Sequence, residues 1–156
     1  MKKRYLIVVA LSLLLTGAYA VEAINTLPNM PAYLLPVLPR EQKSSLRFQT
    51  LSEVRDTISL LNEGYVVIDE ISEDKTALTL SVTDAMKCYI YCLDWEICLI
   101  RTYCAPLCSS VVGYYDYSWN LLREVEPPSE YMLPLARMEN GEIVWTDQHT
   151  DNFIER

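Results

Sequence analysis

Five cysteines are the residues of this chain best suited to covalent chemistry, and all of them lie between positions 88 and 108. Their spacing, C-x3-C-x5-C-x5-C-x3-C, reads the same in both directions about Cys98. If the chain folds back at Cys98, an antiparallel hairpin places Cys88 opposite Cys108 and Cys92 opposite Cys104, within reach of a disulfide. We therefore predict these two disulfides, although the sequence alone also permits other connectivities.

Cys98 has no partner in this scheme. One hypothesis makes it a free or intermolecular thiol at the tip of the hairpin, which would allow a disulfide-linked dimer. The other makes it a buried free cysteine, or implies a different pairing of the five. The spacing lacks the C-x2-C pairs that are typical of zinc sites and of thioredoxin-like redox motifs, so we expect no metal site here.

No arrangement of catalytic residues stands out elsewhere in the chain. The only histidine, His149, lies in a polar stretch near the C-terminus, where a general base would not be held rigidly beside a nucleophile. Phosphate-binding glycine motifs are absent, and the chain has only four glycines from which to build one. The sequence therefore predicts a protein that is not an enzyme and uses no cofactor.

Residues 1–20 have the layout of a secretory signal peptide. A positive head at residues 2–4 precedes an apolar run over residues 6–15, and small residues lead up to Ala20. The apolar run is shorter than the roughly 20 residues that a stable membrane span needs. We predict cleavage after Ala20 or Ala23, a periplasmic or secreted mature protein, and no stable membrane insertion after cleavage.

The charge balance narrows the choice of partners. The chain carries 21 acidic and 13 basic residues, for a formal net charge of −8. Such a protein is repelled by nucleic-acid phosphates. We expect a protein partner in the cell envelope and no nucleic acid.

The rest of the chain divides into three parts. Residues 21–48 contain four prolines and are typical of an extended arm, whose apolar side chains pack on the protein's own domain or on a partner. Residues 49–146 are predicted to form a single α+β domain that contains a cysteine-rich hairpin at 86–110. Residues 147–156 form a polar tail.

Local patterns predict the elements of this domain. Thr50 to Glu53 matches a capping box, and apolar residues at helical spacing predict a helix over about 51–62. Two strands are expected at 65–71 and 77–82, and Asn140-Gly141 indicates a tight hairpin further along. The expected fold class is α+β, with one helix packed on a small antiparallel sheet and a disulfide-braced hairpin.

An aromatic segment follows the cysteines. In an extended strand, Tyr115, Tyr117 and Trp119 share one face, which makes them a possible partner surface. Two alternatives stay open: the rings line the core of the sheet itself, or they stack on a ligand such as a sugar.

Residues 92–98, Cys-Leu-Asp-Trp-Glu-Ile-Cys, with the following Cys104 and Cys108, resemble the cysteine-rich segment of exported TraU-like proteins of conjugative elements. The resemblance is limited to residues 92–108. It implies a disulfide-bonded periplasmic part of a DNA-transfer apparatus, without enzymatic activity.

The leading functional hypothesis is an exported, non-catalytic, disulfide-stabilised interaction or structural protein of the bacterial periplasm or envelope. Two alternatives are a component of a conjugative transfer or secretion apparatus, and a small secreted inhibitor or toxin.

Overall fold

The structure of the protein is a computed structural model. It describes residues 21–35, 38, 42–46, 58–59 and 65–148. The predicted signal peptide at 1–20 and His149, with the rest of the tail beyond it, lie outside the described residues.

Antiparallel strands dominate the described part of the chain. They are β1 (Ile58–Ser59), β2 (Tyr65–Ile71), β3 (Ala77–Val82), β4 (Met86–Cys92), β5 (Ile97–Cys104), β6 (Cys108–Tyr115), β7 (Leu121–Val125), β8 (Pro134–Glu139) and β9 (Glu142–Asp147). The first seven form one sheet in which each strand pairs with the next along the chain, and β8 and β9 form a separate hairpin. A meander of this kind needs only short connections, because each strand reverses directly into its neighbour.

The predicted fold class is therefore wrong. A small sheet carrying one helix is replaced by a mostly β protein with a seven-stranded sheet. The predicted helix at 51–62 falls largely outside the described residues, but Ile58 and Ser59 within it form β1 against β2. A capping box and four apolar residues at helical spacing are a weak local preference, and strand pairing along the edge of β2 overrides it at these two positions.

Short helices do occur, in the N-terminal region. A 3-10 helix, η1, spans Ala23–Asn29, and residues 42–46 are helical. Apolar residues of this region are buried against one face of the sheet. The described part of the proline-rich arm therefore packs on the protein's own domain. The members are Ala23, Ile24, Leu27, Met30, Leu34, Leu35, Leu38 and Leu46.

Hydrogen bonds connect the arm to the domain and also connect parts of the arm to each other. The indole Nε1 of Trp119 donates to the carbonyl oxygen of Thr26 at 3.0 Å. The buried Nζ of Lys43 donates to the carbonyl oxygen of Met30 at 2.8 Å, at the C-terminal end of η1. Burial lowers the pKa of Lys43. The hydrogen bond from Lys43 to the Met30 carbonyl stabilises the C-terminal end of η1, because the last carbonyls of a helix have no partners within the helix.

The hairpin of β8 and β9 covers part of the opposite face. Its buried Ala136 packs with Cys98, Ile100, Val112 and Tyr114 of the sheet. The start of β5 is thus enclosed on both sides, and its first four residues are all buried. A strand covered on both faces is apolar throughout, whereas one that faces water alternates. Among the described residues, no helix has the length and apolar character needed to cross a membrane.

Candidate functional site

The register of the sheet corrects the predicted disulfides. The chain reverses between β4 and β5 at residues 93–96, so Cys92 pairs with Ile97 and Cys88 with Arg101. It reverses a second time after Cys104, which pairs directly with Cys108 and forms a disulfide with it. The predicted Cys88–Cys108 and Cys92–Cys104 disulfides are wrong, because mirror-symmetric spacing assumes one reversal at Cys98 and the chain makes two.

The other three cysteines are free and buried. Desolvation raises the pKa of Cys88 and of Cys98 to about 12 and that of Cys92 to about 11. Cys98 is 0% exposed in the middle of the sheet, opposite Tyr91 on one side and Tyr114 on the other. Its predicted place at a hairpin tip is wrong, and in this fold its sulfur is out of reach of a second chain.

The predicted aromatic surface is also wrong. Tyr115 and Trp119 are buried in the core beside the arm, with ring centroids 5.6 Å apart, and Tyr117 is half-buried against that core. The strand ends at Tyr115, and a turn follows in which Trp119 has a φ of 64°. Alternation along an extended strand therefore does not apply, and the rings line the sheet's own core. The ring of Tyr115 lies over Gly113, where a Cβ atom would stand 2.8 Å from the tyrosine oxygen.

The most exposed large apolar side chain of the described residues is instead Trp95, which is 88% exposed in the turn between β4 and β5. This turn is fixed from within, because the backbone N–H of Leu93 donates to the carbonyl oxygen of Glu96 at 2.8 Å. It is also fixed from outside, because the hydroxyl of Tyr117 donates to the carbonyl oxygen of Leu93. The tryptophan thus projects from a backbone that is held in place.

Glu96 ties the same turn to the edge of the sheet. Its carboxylate accepts two hydrogen bonds from the guanidinium of Arg123, at 2.5 and 2.7 Å, and the Arg123 guanidinium carbon lies 3.7 Å from the ring centroid of Tyr114. These hydrogen bonds lower the pKa of Glu96 and raise that of Arg123. Planar two-point pairing and stacking on a ring are what arginine does better than lysine.

Half-exposed leucines lie at the same end of the sheet. Ile97 pairs with Tyr115, which pairs with Leu121, so the start of β7 is two strands away from the turn that carries Trp95. Leu121 and Leu122 are 50% and 52% exposed. We call Trp95, Leu121 and Leu122 the turn surface. Sequence reasoning missed it, although a tryptophan between two acidic residues at a chain reversal could have indicated exposure.

The opposite end of the sheet holds an open cavity of about 340 Å³ between the sheet and β8, which we call the disulfide cavity. Both cysteines of the disulfide line it. The other lining residues are Asp84, Met86, Lys87, Tyr89, Thr102, Leu135, Ala136, Arg137 and Thr146.

The charged groups of this cavity are two cations and one carboxylate. Lys87 lies 3.7 Å from a carboxylate oxygen of Asp69, and Arg137 lies 2.6 Å from one of Glu139. The carboxylate of Asp84 accepts a hydrogen bond from the hydroxyl of Tyr65 at 2.5 Å. In the part of the chain that the structure describes, no group of three or more histidine, cysteine or acidic side chains is placed to hold a metal ion.

Comparison with known proteins gives a fold and a family. The chain is similar to the structure of a domain of an uncharacterized protein from Porphyromonas gingivalis W83, with a TM-score of 0.56 and 14% sequence identity. The match covers 79% of this chain and 66% of the other, so this chain spans slightly less than two thirds of that structure, and the likeness shows the fold alone. No curated protein matches the chain. A family model described as "Protein of unknown function (DUF3256)" matches residues 16–148, and the chain therefore belongs to the DUF3256 family.

Proposed function

We propose that this protein is an exported, non-catalytic protein of the bacterial periplasm or envelope that binds another protein through the turn surface. The observation that carries the proposal is Trp95, 88% exposed on a turn that is fixed from two sides. Tryptophan is highly buried on average, and it is strongly enriched among the residues that dominate protein–protein binding energy.

The fixed backbone strengthens the argument. Binding costs free energy when a loop or a side chain must become ordered. Here Tyr117 and Arg123 already hold the turn from the two neighbouring segments, so little backbone order remains to be acquired. Leu121 and Leu122, half-exposed at the same end of the sheet, add apolar area to this surface.

Two features support export. Residues 1–20 have the layout of a signal peptide, and disulfides such as Cys104–Cys108 persist mainly in oxidising compartments. Of the two cleavage positions, Ala20 suits the fold better. Cleavage there retains Ala23, which is buried and whose backbone N–H donates to the carbonyl oxygen of Lys75 at 2.9 Å.

The segment that presents Trp95 also carries the resemblance to TraU-like proteins. A place in a conjugative transfer or secretion apparatus is therefore a specific form of this proposal, in which the partner of the turn surface is another component of that apparatus.

Site-specific photo-crosslinking in the native host tests the partner surface. A benzophenone amino acid replaces Trp95 in one strain and Tyr33, which is also well exposed, in a control strain. We expect a discrete adduct from position 95 in the envelope fraction, and its loss when leucines 121 and 122 are both changed to serine. The proposal fails if both positions give the same adducts, or none, while the protein is folded.

Export is tested separately by mass spectrometry of the protein from each cell fraction. We expect a periplasmic or secreted chain that begins after residue 20 and contains one disulfide and three thiols. A full-length cytoplasmic chain with five thiols would contradict the proposal.

A further inference from the structure

We propose that the Cys104–Cys108 disulfide is a site of reversible thiol–disulfide exchange with a small anionic thiol that binds in the disulfide cavity. This inference goes beyond the proposed protein binding and uses no residue of the turn surface, which lies at the other end of the sheet.

The disulfide is accessible from the surface of the protein. Both cysteines line an open cavity of about 340 Å³, a size typical of sites for small molecules. The three residues that connect them, Ala105 to Leu107, are exposed. Exchange requires an incoming thiolate to reach one sulfur of the disulfide, and this cavity provides an approach to the pair.

The disulfide can open without loss of the fold. β5 and β6 form eight directly opposed residue pairs, and the disulfide joins only the last of them. The backbone N–H of Cys104 donates to the carbonyl oxygen of Ala85 at 2.7 Å, and that of Cys108 donates to the side-chain oxygen of Gln148 at 3.1 Å. After opening, the two sulfurs therefore stay opposite each other and can close again.

The exchange step needs no oxidant or metal. The incoming thiolate attacks one sulfur of the pair, a bond forms between them, and the bond between Cys104 and Cys108 breaks. The released cysteine leaves as a thiolate and takes a proton from water. In the reverse direction this cysteine attacks the mixed disulfide, restores the original bond and expels the small thiol. The step is stoichiometric, so it fits a protein that is not an enzyme.

The charged side chains of the cavity favour an anionic thiol. Lys87 on β4 and Arg137 on β8 line the cavity from its two walls, against the single carboxylate of Asp84. Their ion pairs with Asp69 and Glu139 involve cations that are more than half exposed, and exposed pairs of this kind are weak enough to exchange partners. Both cations are therefore available to an anionic group beside the disulfide.

The cations of the cavity favour anionic thiols, whereas the net charge of the whole chain favours cationic ones. The chain has a net charge of −8, which attracts cationic thiols from a distance. Charges beyond the screening length of about 8 Å at physiological salt contribute little, whereas a direct contact with one cation in water favours an anion by about fivefold. The local cations should therefore decide the preference.

The remaining cysteines do not compete for the small thiol. All three are buried, and burial raises the pKa of each thiol well above its ordinary value. A thiol that stays protonated is a poor nucleophile, so exchange is confined to the one accessible pair.

A series of three thiols with different charge tests the inference on the native full chain. The probes are 2-mercaptoethanesulfonate, neutral 2-mercaptoethanol and cationic cysteamine, and intact-mass spectrometry follows the mixed disulfide. Each rate is divided by the rate of the same thiol with the oxidised peptide Cys-Ala-Pro-Leu-Cys, which removes differences in intrinsic reactivity. We expect the sulfonate to exceed cysteamine by about fivefold after this correction.

Matched variants assign the preference to the cavity. Lys87→Gln and Arg137→Gln together should abolish it, whereas Lys75→Gln, a change of an exposed ion-paired lysine outside the cavity, should leave it unchanged. Circular dichroism confirms that each variant is folded. A preference for cysteamine in the native protein, or exchange only after addition of urea, would overturn the inference. So would a double variant that keeps the sulfonate preference. None of these outcomes depends on Trp95 or its partner.

Discussion

Glu96 and Arg123, 27 residues apart, meet through two parallel hydrogen bonds that join the turn before β5 to the edge strand β7. Glu96 directly follows Trp95 in the sequence, and the Arg123 guanidinium also covers the ring of Tyr114. One ion pair therefore fixes both the turn and the edge of the sheet.

Removing the charge of Glu96 tests this role. Glu96→Gln should lower the free energy of unfolding by about 0.5–1 kcal/mol, because the pair is partly exposed and such pairs contribute little. Glu96→Gln should also lower the fluorescence anisotropy of Trp95. This anisotropy is measured in a background in which Trp119→Phe and Trp145→Phe remove the signals of the other two tryptophans. Unchanged anisotropy would show that the hydrogen bonds from Tyr117 and from the backbone N–H of Leu93 hold the turn without Arg123.

The same pair predicts a pH dependence. Hydrogen bonds from Arg123 lower the pKa of Glu96 in the folded chain, although desolvation acts against them. A carboxylate with a lowered folded-state pKa stabilises the fold above its unfolded pKa, and this contribution disappears as the pH falls through the folded-state pKa. The stability difference between the wild type and Glu96→Gln, from urea unfolding, should therefore be present at pH 7 and vanish in acid.

The disulfide makes a modest contribution to stability. It closes a loop of only five residues, for which loop-closure entropy gives about 2 kcal/mol. Replacing both Cys104 and Cys108 by serine should lower the free energy of unfolding by about that amount and leave the circular dichroism spectrum native. A loss of fold would contradict the description of β5 and β6 as paired along their whole length.

Thiol labelling separates the two kinds of cysteine. Iodoacetamide at neutral pH should modify none of Cys88, Cys92 and Cys98 in the folded protein, because each thiol is buried and protonated. In urea, three adducts should appear by mass spectrometry, and five after reduction. Rapid labelling of Cys98 in the native state would place it at the surface, against the structure.

Gly113 and Tyr115 should be energetically coupled. A Cβ atom at position 113 would lie 2.8 to 3.0 Å from atoms of the Tyr115 ring, which is itself packed against Trp119. Gly113→Ala should therefore cost about 1–3 kcal/mol. In the background of Tyr115→Leu, which removes the ring, the same change should cost clearly less, and a double-mutant cycle from urea unfolding measures the difference. Equal costs in both backgrounds would contradict this contact.

Strictly local signals predicted part of this fold. Leu78, Leu80 and Val82 alternate with polar residues, and they form β3 over the expected range, after a β2 that also matches. Asn140 and Gly141 have positive φ angles in the tight turn of the last hairpin, as two-residue turns of this kind require.

Positions set by distant parts of the chain were not predicted. The spacing of the cysteines shows which of them a single chain reversal would bring together. It does not show where the chain reverses, and the structure has two reversals, at residues 93–96 and 105–107. Trp119 is drawn into the core by the arm, 93 residues away. Ile58 pairs with Val66, a pairing that its helical spacing does not indicate. The candidate site shares this difficulty, because exposure of Trp95 depends on what the fold leaves uncovered.

The hydrogen bond from Trp119 to Thr26 spans 93 residues, and it closes the core that η1 shares with the sheet. Since ribosomes make chains from the N-terminus, the leucines of the arm are made before β3 and β4, against which η1 packs, and well before Trp119. Contacts this distant in sequence slow folding, and the apolar side chains of the arm stay exposed until these contacts form. We therefore expect the incomplete chain to be more prone to aggregation than the finished protein.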